Sequence, residues 1–238
     1  MSPASGVALA RPRLHWSGDA LVLVEFDARI APEINRRAVA LAEAIGAARV
    51  PGVRDVVPAY SSVGVHVDPL RFDTSALEAV ISHDWDRATA PDDAAAALVE
   101  IPVCYGGAFG PDLDEVAAFA AMSPDQVVAT HAAAIYRVYM LGFLPGFAYL
   151  GGVDASIAMP RRESPRTAVS VGSVGIAGVQ TGVYPTECPG GWRLIGRTPV
   201  AMFDATRDRP ALLQPGDRVR FVPVAHDRWP ALTVGARA

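Results

Sequence analysis

Gly172–Pro185, GSVGIAGVQTGVYP, decides how the second half of this chain is read. Glycine recurs every three or four residues, and the Val, Ile and Ala runs between are the length of short strands. The same texture spreads outward to Gly142–Gly152 (GFLPGFAYLGG), Pro160–Arg166 (PRRESPR) and Pro189–Pro199 (PGGWRLIGRTP). Glycine and proline at this density punctuate a chain into tight turns. The stretch therefore reads as an irregular, closed β-barrel with few helices.

Upstream of the barrel, two helix starts are signalled. Asp112 stands three residues before Glu115, the spacing of a capping box. Ser123-Pro124-Asp125-Gln126 combines an N-cap serine, a proline in the first turn and glutamine at the third helical position. Ile135–Leu141 then alternates like a strand.

The first part of the chain has a different pattern. Ala20–Asp27 (ALVLVEFD) reads as a buried strand. Pro32–Gly46 carries Ile34, Ala38, Leu41, Ala42 and Ile45 on one helical face and ends on a glycine. Val53–Val57 and Ser62–Val67 are short strands, and Thr74–Asp86 is a second helix with Leu77, Val80, Ile81 and Trp85 on one side. The order βαββα, with Leu98–Cys104 available as a closing strand, suits a small ferredoxin-like sandwich. Ala88–Ala97 is rich in Ala and Asp, and it is read as the linker, although a run of alanines also favours helix. The expectation is an α+β chain with domains at residues 1–92 and 98–238.

Composition narrows the chemistry. The chain has 238 residues, 51% of them hydrophobic, and a net charge of −4, which disfavours nucleic acid and anionic membrane as main partners. All its basic residues are arginine. Without lysine there is no Walker A lysine, Schiff base, lysine general base or biotinylated lysine. Anions must be held by arginine, backbone N–H groups or a partner. Cys104 and Cys188 match no metal spacing and read as reduced thiols, and Met1–Leu14 lacks the apolar run of a secretory signal. No window is long and apolar enough to span a bilayer, so a cytoplasmic location is expected.

The three glycine-rich segments and the proline-flanked PRRESPR place aromatic and arginine side chains beside close-approach backbone. They outline a pocket walled by Phe147 and Tyr149. Arg162 and Arg166 are expected to hold a carboxylate or phosphate there, Gln180 and Thr181 to add uncharged hydrogen bonds, and Arg197 to complete the anion site. Other readings stand beside this one: barrel glycines mostly make turns, the arginines could form a salt-bridged loop with Glu163, and the same loops could face a partner. His131 reads as a packing residue and Cys188 as inert, and no catalytic residue can be named.

Taken together, the motifs resemble the family of the 5-oxoprolinase B subunit, the kinase inhibitor KipI and allophanate hydrolase subunit 1. The resemblance starts at Gly18-Asp19 and Val56-Val57-Pro58 with Tyr60, and runs through IPVCYGGAFGPDLDEVA (Ile101–Ala117). It is densest over Gly142–Pro199 and ends at PGDRVRF (Pro215–Phe221). Ser170-Val171 stand where members usually have Pro-Ala, and Cys188 where serine is common. The resemblance implies a cyclophilin-like barrel and a partner of the allophanate-hydrolase-subunit-2 type (the 5-oxoprolinase C subunit). With a third subunit, the implied reaction opens 5-oxo-L-proline to L-glutamate at the expense of ATP, with Mg²⁺ arriving on the nucleotide. A KipI-like inhibitor of a histidine kinase and a carboxyltransferase-like subunit of allophanate or urea metabolism share these motifs and remain alternatives.

Overall fold

Alternating burial along Leu21–Glu25 and Ser62–Val67 shows why these segments are strands: Val22, Val24, Val63, Val65 and Val67 all point to one packed face. The computed structural model describes residues 11–87 and 96–229. Most of the expected linker, residues 88–95, and the first ten residues lie outside the described residues. The chain divides into two compact units, Met1–Ala95 and Ala96–Ala238.

In the first unit the strands are β1 (Arg13–Trp16), β2 (Leu21–Glu25), β3 (Val53–Pro58) and β4 (Ser62–Val67), joined with helices α1 (Pro32–Ala48) and α2 (Thr74–Arg87). They form one antiparallel sheet in the order β1-β2-β4-β3. The helices cover one face. Helix α1 buries the predicted stripe of Ile34, Ala38, Leu41, Ala42 and Ile45 against the sheet. Each large aliphatic side chain so buried contributes about 1.5–3 kcal/mol of transfer free energy.

Two local expectations are corrected here. Gly46 does not end α1. Ala47 and Ala48 continue the helix, and it stops at Arg49, which takes the left-handed conformation (φ 48°). The sandwich is not closed by Leu98–Cys104, because that segment belongs to the barrel. The fourth strand is β1, which pairs with β2 from before it in sequence and takes the edge that a strand after α2 would fill in a ferredoxin-like sheet. β1 is largely exposed, so it carries no apolar run to announce it.

The second unit opens with β5 (Leu98–Tyr105), α3 (Leu113–Ala120) and α4 (Pro124–Ala133). Strands β6 (Tyr136–Leu141), β7 (Ala148–Gly151), β8 (Arg166–Val169), β9 (Ser173–Ala177), β10 (Gln180–Val183), β11 (Cys188–Gly190), β12 (Arg193–Arg197) and β13 (Arg218–Pro223) follow. Seven strands close into a barrel, β10-β7-β6-β13-β5-β12-β9, while β8 and β11 form a separate ribbon. The β13–β5 pairing is parallel over Arg218–Pro223 and joins the first and last strands of the unit. Ile101, Val138, Leu150, Val174, Ile176, Ile195 and Phe221 share the core with Val116 of α3 and Val127 of α4.

The two predicted capping boxes come out differently. At Ser123 the box is complete: Gln126 N–H donates to Ser123 Oγ (3.2 Å) and Ser123 N–H donates to Gln126 Oε1 (2.8 Å). Asp112 occupies the N-cap position of α3 but makes no side-chain cap, because its carboxylate is taken by groups far away in sequence.

Candidate functional site

The loop between β6 and β7 begins with a strained turn. Leu144 N–H donates to Gly142 O at 2.8 Å across Phe143, whose φ is +67°. A hydrogen bond over one residue with positive φ is the strained form of the γ-turn, uncommon for a side chain of this size. The turn leaves the Phe143 side chain 61% exposed, with its ring perpendicular to that of Phe147 at 5.5 Å. Gly146 (φ +82°) lets the loop close, since a Cβ there would lie 2.7 Å from Phe203 Cβ.

Phe147 is buried and is the hub of an aromatic cluster. Tyr149, Trp192 and Tyr184 surround it edge to face at centroid distances of 4.9, 5.4 and 5.6 Å. This geometry matches the electron-poor edge of one ring to the electron-rich face of another. Gly190 makes the packing feasible: a Cβ there would sit 2.5 Å from the Tyr184 hydroxyl. Burial pushes the Tyr184 hydroxyl pKa up, so it stays protonated. Beside the cluster lies a cavity of about 280 Å³, lined among others by Phe143, Phe147, Tyr149, Arg161, Arg162 and Trp192.

The arginines of PRRESPR divide into two roles. Asp112 is 1% exposed, and its carboxylate accepts from Leu194 N–H at 2.7 Å, from Arg166 Nη2 at 2.6 Å and from Arg162 Nη1 at 3.3 Å. Arg193 adds an ion pair with Glu115 and donates its Nε to Pro160 O at 3.2 Å. Together with Arg162 N–H to Gly191 O at 2.8 Å, these bonds clamp the 160–166 loop to α3 and β12. Arg161 is not part of the clamp. It is exposed, its guanidinium lies 5.9 Å over the Trp192 ring, and no carboxylate among the described residues pairs with it.

The expected site is therefore brought together only in part. Phe147 and Tyr149 do wall the cavity, and Arg162 lines it while spending Nη1 on Asp112. Arg166 is bound to Asp112 and does not line it. Gln180 and Thr181 lie on β10, away from the cavity lining, because the strand turns Thr181 into the barrel interior. Arg197 also lies elsewhere: it donates Nε to Val171 O at 2.7 Å and stacks over Trp229 at 5.7 Å. The residues that sequence reasoning missed are Phe143, Tyr184 and Arg161. The first two sit in the quoted glycine-rich segments, but nothing local distinguishes Arg161 from its neighbours.

His131 is fully buried in a polar chain inside the barrel. Thr181 Oγ1–H donates to Gly175 O (2.9 Å), so the hydroxyl accepts from His131 Nε2–H (3.0 Å). Nδ1 is then left to accept from the Tyr105 hydroxyl (2.8 Å). Phe221 stacks on the imidazole at 4.8 Å. Burial lowers the His131 pKa to about 3, so the ring is neutral, and burial holds the Tyr105 hydroxyl well above its usual range. Every polar atom of the ring is satisfied, and this is packing chemistry. Burial likewise raises the thiol pKa values of Cys104 and Cys188, which keeps both protonated.

Magnesium-bound nucleotide is a poor fit to these residues. The cavity is at the small end of ligand pockets, and of its two arginines Arg162 gives Nη1 to Asp112 while Arg161 pairs with no described carboxylate. Among the described residues no group of three His, Cys, Asp or Glu could hold a metal ion, and no helix is long and apolar enough to cross a membrane.

Comparison with known proteins gives a consistent picture. Residues 12–213 match the family described as carboxyltransferase domain, subdomain C and D. The 5-oxoprolinase B subunit of Bacillus subtilis (strain 168) is 40% identical across 93% of this chain and 96% of its own length. Among solved structures, TTHA0988 superimposes with a TM-score of 0.77 at 42% identity over 86% of this chain, which spans only 40% of that longer polypeptide. Urea amidolyase of K. lactis shares the fold at a TM-score of 0.73 and 21% identity, this chain covering 15% of it. On the family match over most of its length and a full-length relative at 40% identity, the chain belongs to the carboxyltransferase subdomain C and D family that includes the 5-oxoprolinase B subunit.

Proposed function

We propose that this chain is one subunit of an ATP-dependent 5-oxoprolinase, which converts 5-oxo-L-proline, ATP and water to L-glutamate, ADP and phosphate. The observation that carries the proposal is the full-length similarity to a protein named as the B subunit of that enzyme. The chemistry of the chain accords with a shared site. A lactam carbonyl resists hydrolysis, and its activation by a phosphoryl donor needs several cations around the transferred group. This chain has no lysine, and of the two arginines at its cavity Arg162 is paired with Asp112. The nucleotide, with its Mg²⁺, is therefore assigned to a site completed by partner subunits.

Those partners are an allophanate-hydrolase-subunit-2-like protein and a third oxoprolinase subunit. Support for a closely apposed partner comes from TTHA0988, where a similar module is continuous with more polypeptide than this chain contains. A covalently joined neighbour in one protein is a natural counterpart of a separate subunit in another. Reconstitution tests the proposal: the three subunits together, with ATP, should form glutamate from 5-oxo-L-proline. This chain alone should not, and turnover by it alone would overturn the shared-site reading.

A further inference from the structure

Two features of the barrel cavity do not follow from membership in a subunit family: an arginine with no carboxylate partner among the described residues, and the strained residue at its edge. Arg162 and Arg166 are the obvious anion ligands by sequence, yet both deliver a guanidinium N–H to buried Asp112. Arg161 lies on the opposite side of that choice. Its guanidinium is laid over the Trp192 indole at 5.9 Å and lines the cavity, and neither Glu163 nor any other described carboxylate pairs with it. Stacking of this kind uses the face of the guanidinium and leaves its in-plane N–H donors available as a fork. That fork matches one carboxylate.

Apart from Arg162, which is paired with Asp112, the rest of the lining is uncharged. Phe143, Phe147, Tyr149 and Trp192 present ring faces and edges, and the volume of about 280 Å³ suits a small ligand. Phe143 is kept at the cavity's margin by a turn that costs backbone strain, although most of its ring faces solvent. Strain in an exposed aromatic persists where the position serves something other than stability.

We propose that this cavity is a subsite for a small ring carboxylic acid. Arg161 takes the carboxylate, and the aromatic wall of Phe147 and Trp192 takes the ring. The Asp112 clamp is the scaffold that presents Arg161, and Arg162 and Arg166 are structural. Naming the ring as the lactam of 5-oxo-L-proline rests on the 5-oxoprolinase reading above; the carboxylate preference rests on Arg161 alone.

The test is a calorimetric titration of the full chain, and of the reconstituted complex, with 5-oxo-L-proline, its neutral carboxamide and 2-pyrrolidinone. The unaltered protein should bind the acid and discriminate against both neutral analogues. R161A should weaken the acid by roughly tenfold or more and leave the neutral analogues unchanged. Because Arg161 makes no hydrogen bond to the described residues and only stacks on Trp192 from the surface, R161A should melt within about 2–4 °C of the parent, so lost binding is not lost folding. In the active complex R161A should raise KM by a similar factor with kcat nearly unchanged. No binding of the acid by either preparation, or equal binding by R161A, overturns the subsite. A complex that forms no glutamate overturns the proposed function, and the titration then decides the subsite alone. Turnover with an unaltered KM in R161A sinks the subsite and leaves the function standing.

Discussion

Breaking the pair between Asp112 and Arg166 should unfasten the barrel's outer loops, and its cost follows from the geometry. Asp112 is buried with three donors on its carboxylate, while Arg166 and Arg162 remain 24% and 30% exposed. Removing one member of a buried ion pair typically costs 3–5 kcal/mol because the other is left desolvated and unpaired. Here water can partly rehydrate the arginines, so D112N is placed at the lower end, about 3 kcal/mol. R166Q leaves Asp112 with Arg162 and Leu194 N–H and should cost less, about 2 kcal/mol. In the double variant the two losses should not add, giving a coupling of about 1.5–2 kcal/mol. The assay is urea and thermal unfolding of the full chain, with the barrel followed by near-ultraviolet circular dichroism because two units need not melt together. D112N should lower the barrel midpoint by roughly 6–12 °C at 2–4 °C per kcal/mol. A fall below about 2 °C, or additive losses in the double variant, would refute the clamp and return Arg166 to the pool of free anion ligands.

Three further outcomes are expected. His131 has its pKa lowered from 6.5 to about 3 by burial, so unfolding takes up a proton between those values. Its contribution to stability should be constant above pH 6.5 and fall on acidification at up to about 1.4 kcal/mol per pH unit, a slope that H131Q should flatten in acid-denaturation curves. At Phe143, F143G should be more stable than F143A by about 1 kcal/mol in chemical denaturation, reversing the usual order of alanine and glycine; the usual order would show that the turn is unstrained. From its composition, the stretch of residues 88–97 should be the first site cut by elastase, leaving a stable fragment that begins near Leu98; earlier cutting within the barrel would refute the placement of the domain boundary.

What could be read from the sequence follows the range over which each choice is made. The stripe of Ile34, Leu41 and Ile45 needs only helical periodicity, and all three are buried as that periodicity requires. The glycine density of residues 142–199 likewise announces a barrel, because turn chemistry is local. Asp112 and Ser123 show where local reading stops. Both stand three residues before a Glu or Gln, so each is a capping box by pattern, yet only Ser123 makes one. A serine hydroxyl has few better offers than a nearby backbone N–H. An ionised carboxylate folded into the interior gains more from guanidinium groups, and those of Asp112 come from positions 50 and 54 residues later. The same competition hides the role of Arg161. Three arginines within seven residues are equivalent as text, and they become different only once one buried carboxylate has claimed two of them. A site residue is here defined by what its neighbours leave unclaimed, which depends on tertiary contacts and not on spacing. By that logic, removing Asp112 should also change which arginine binds an anion, and the R161A phenotype should weaken in a D112N background that frees Arg162 at the same cavity.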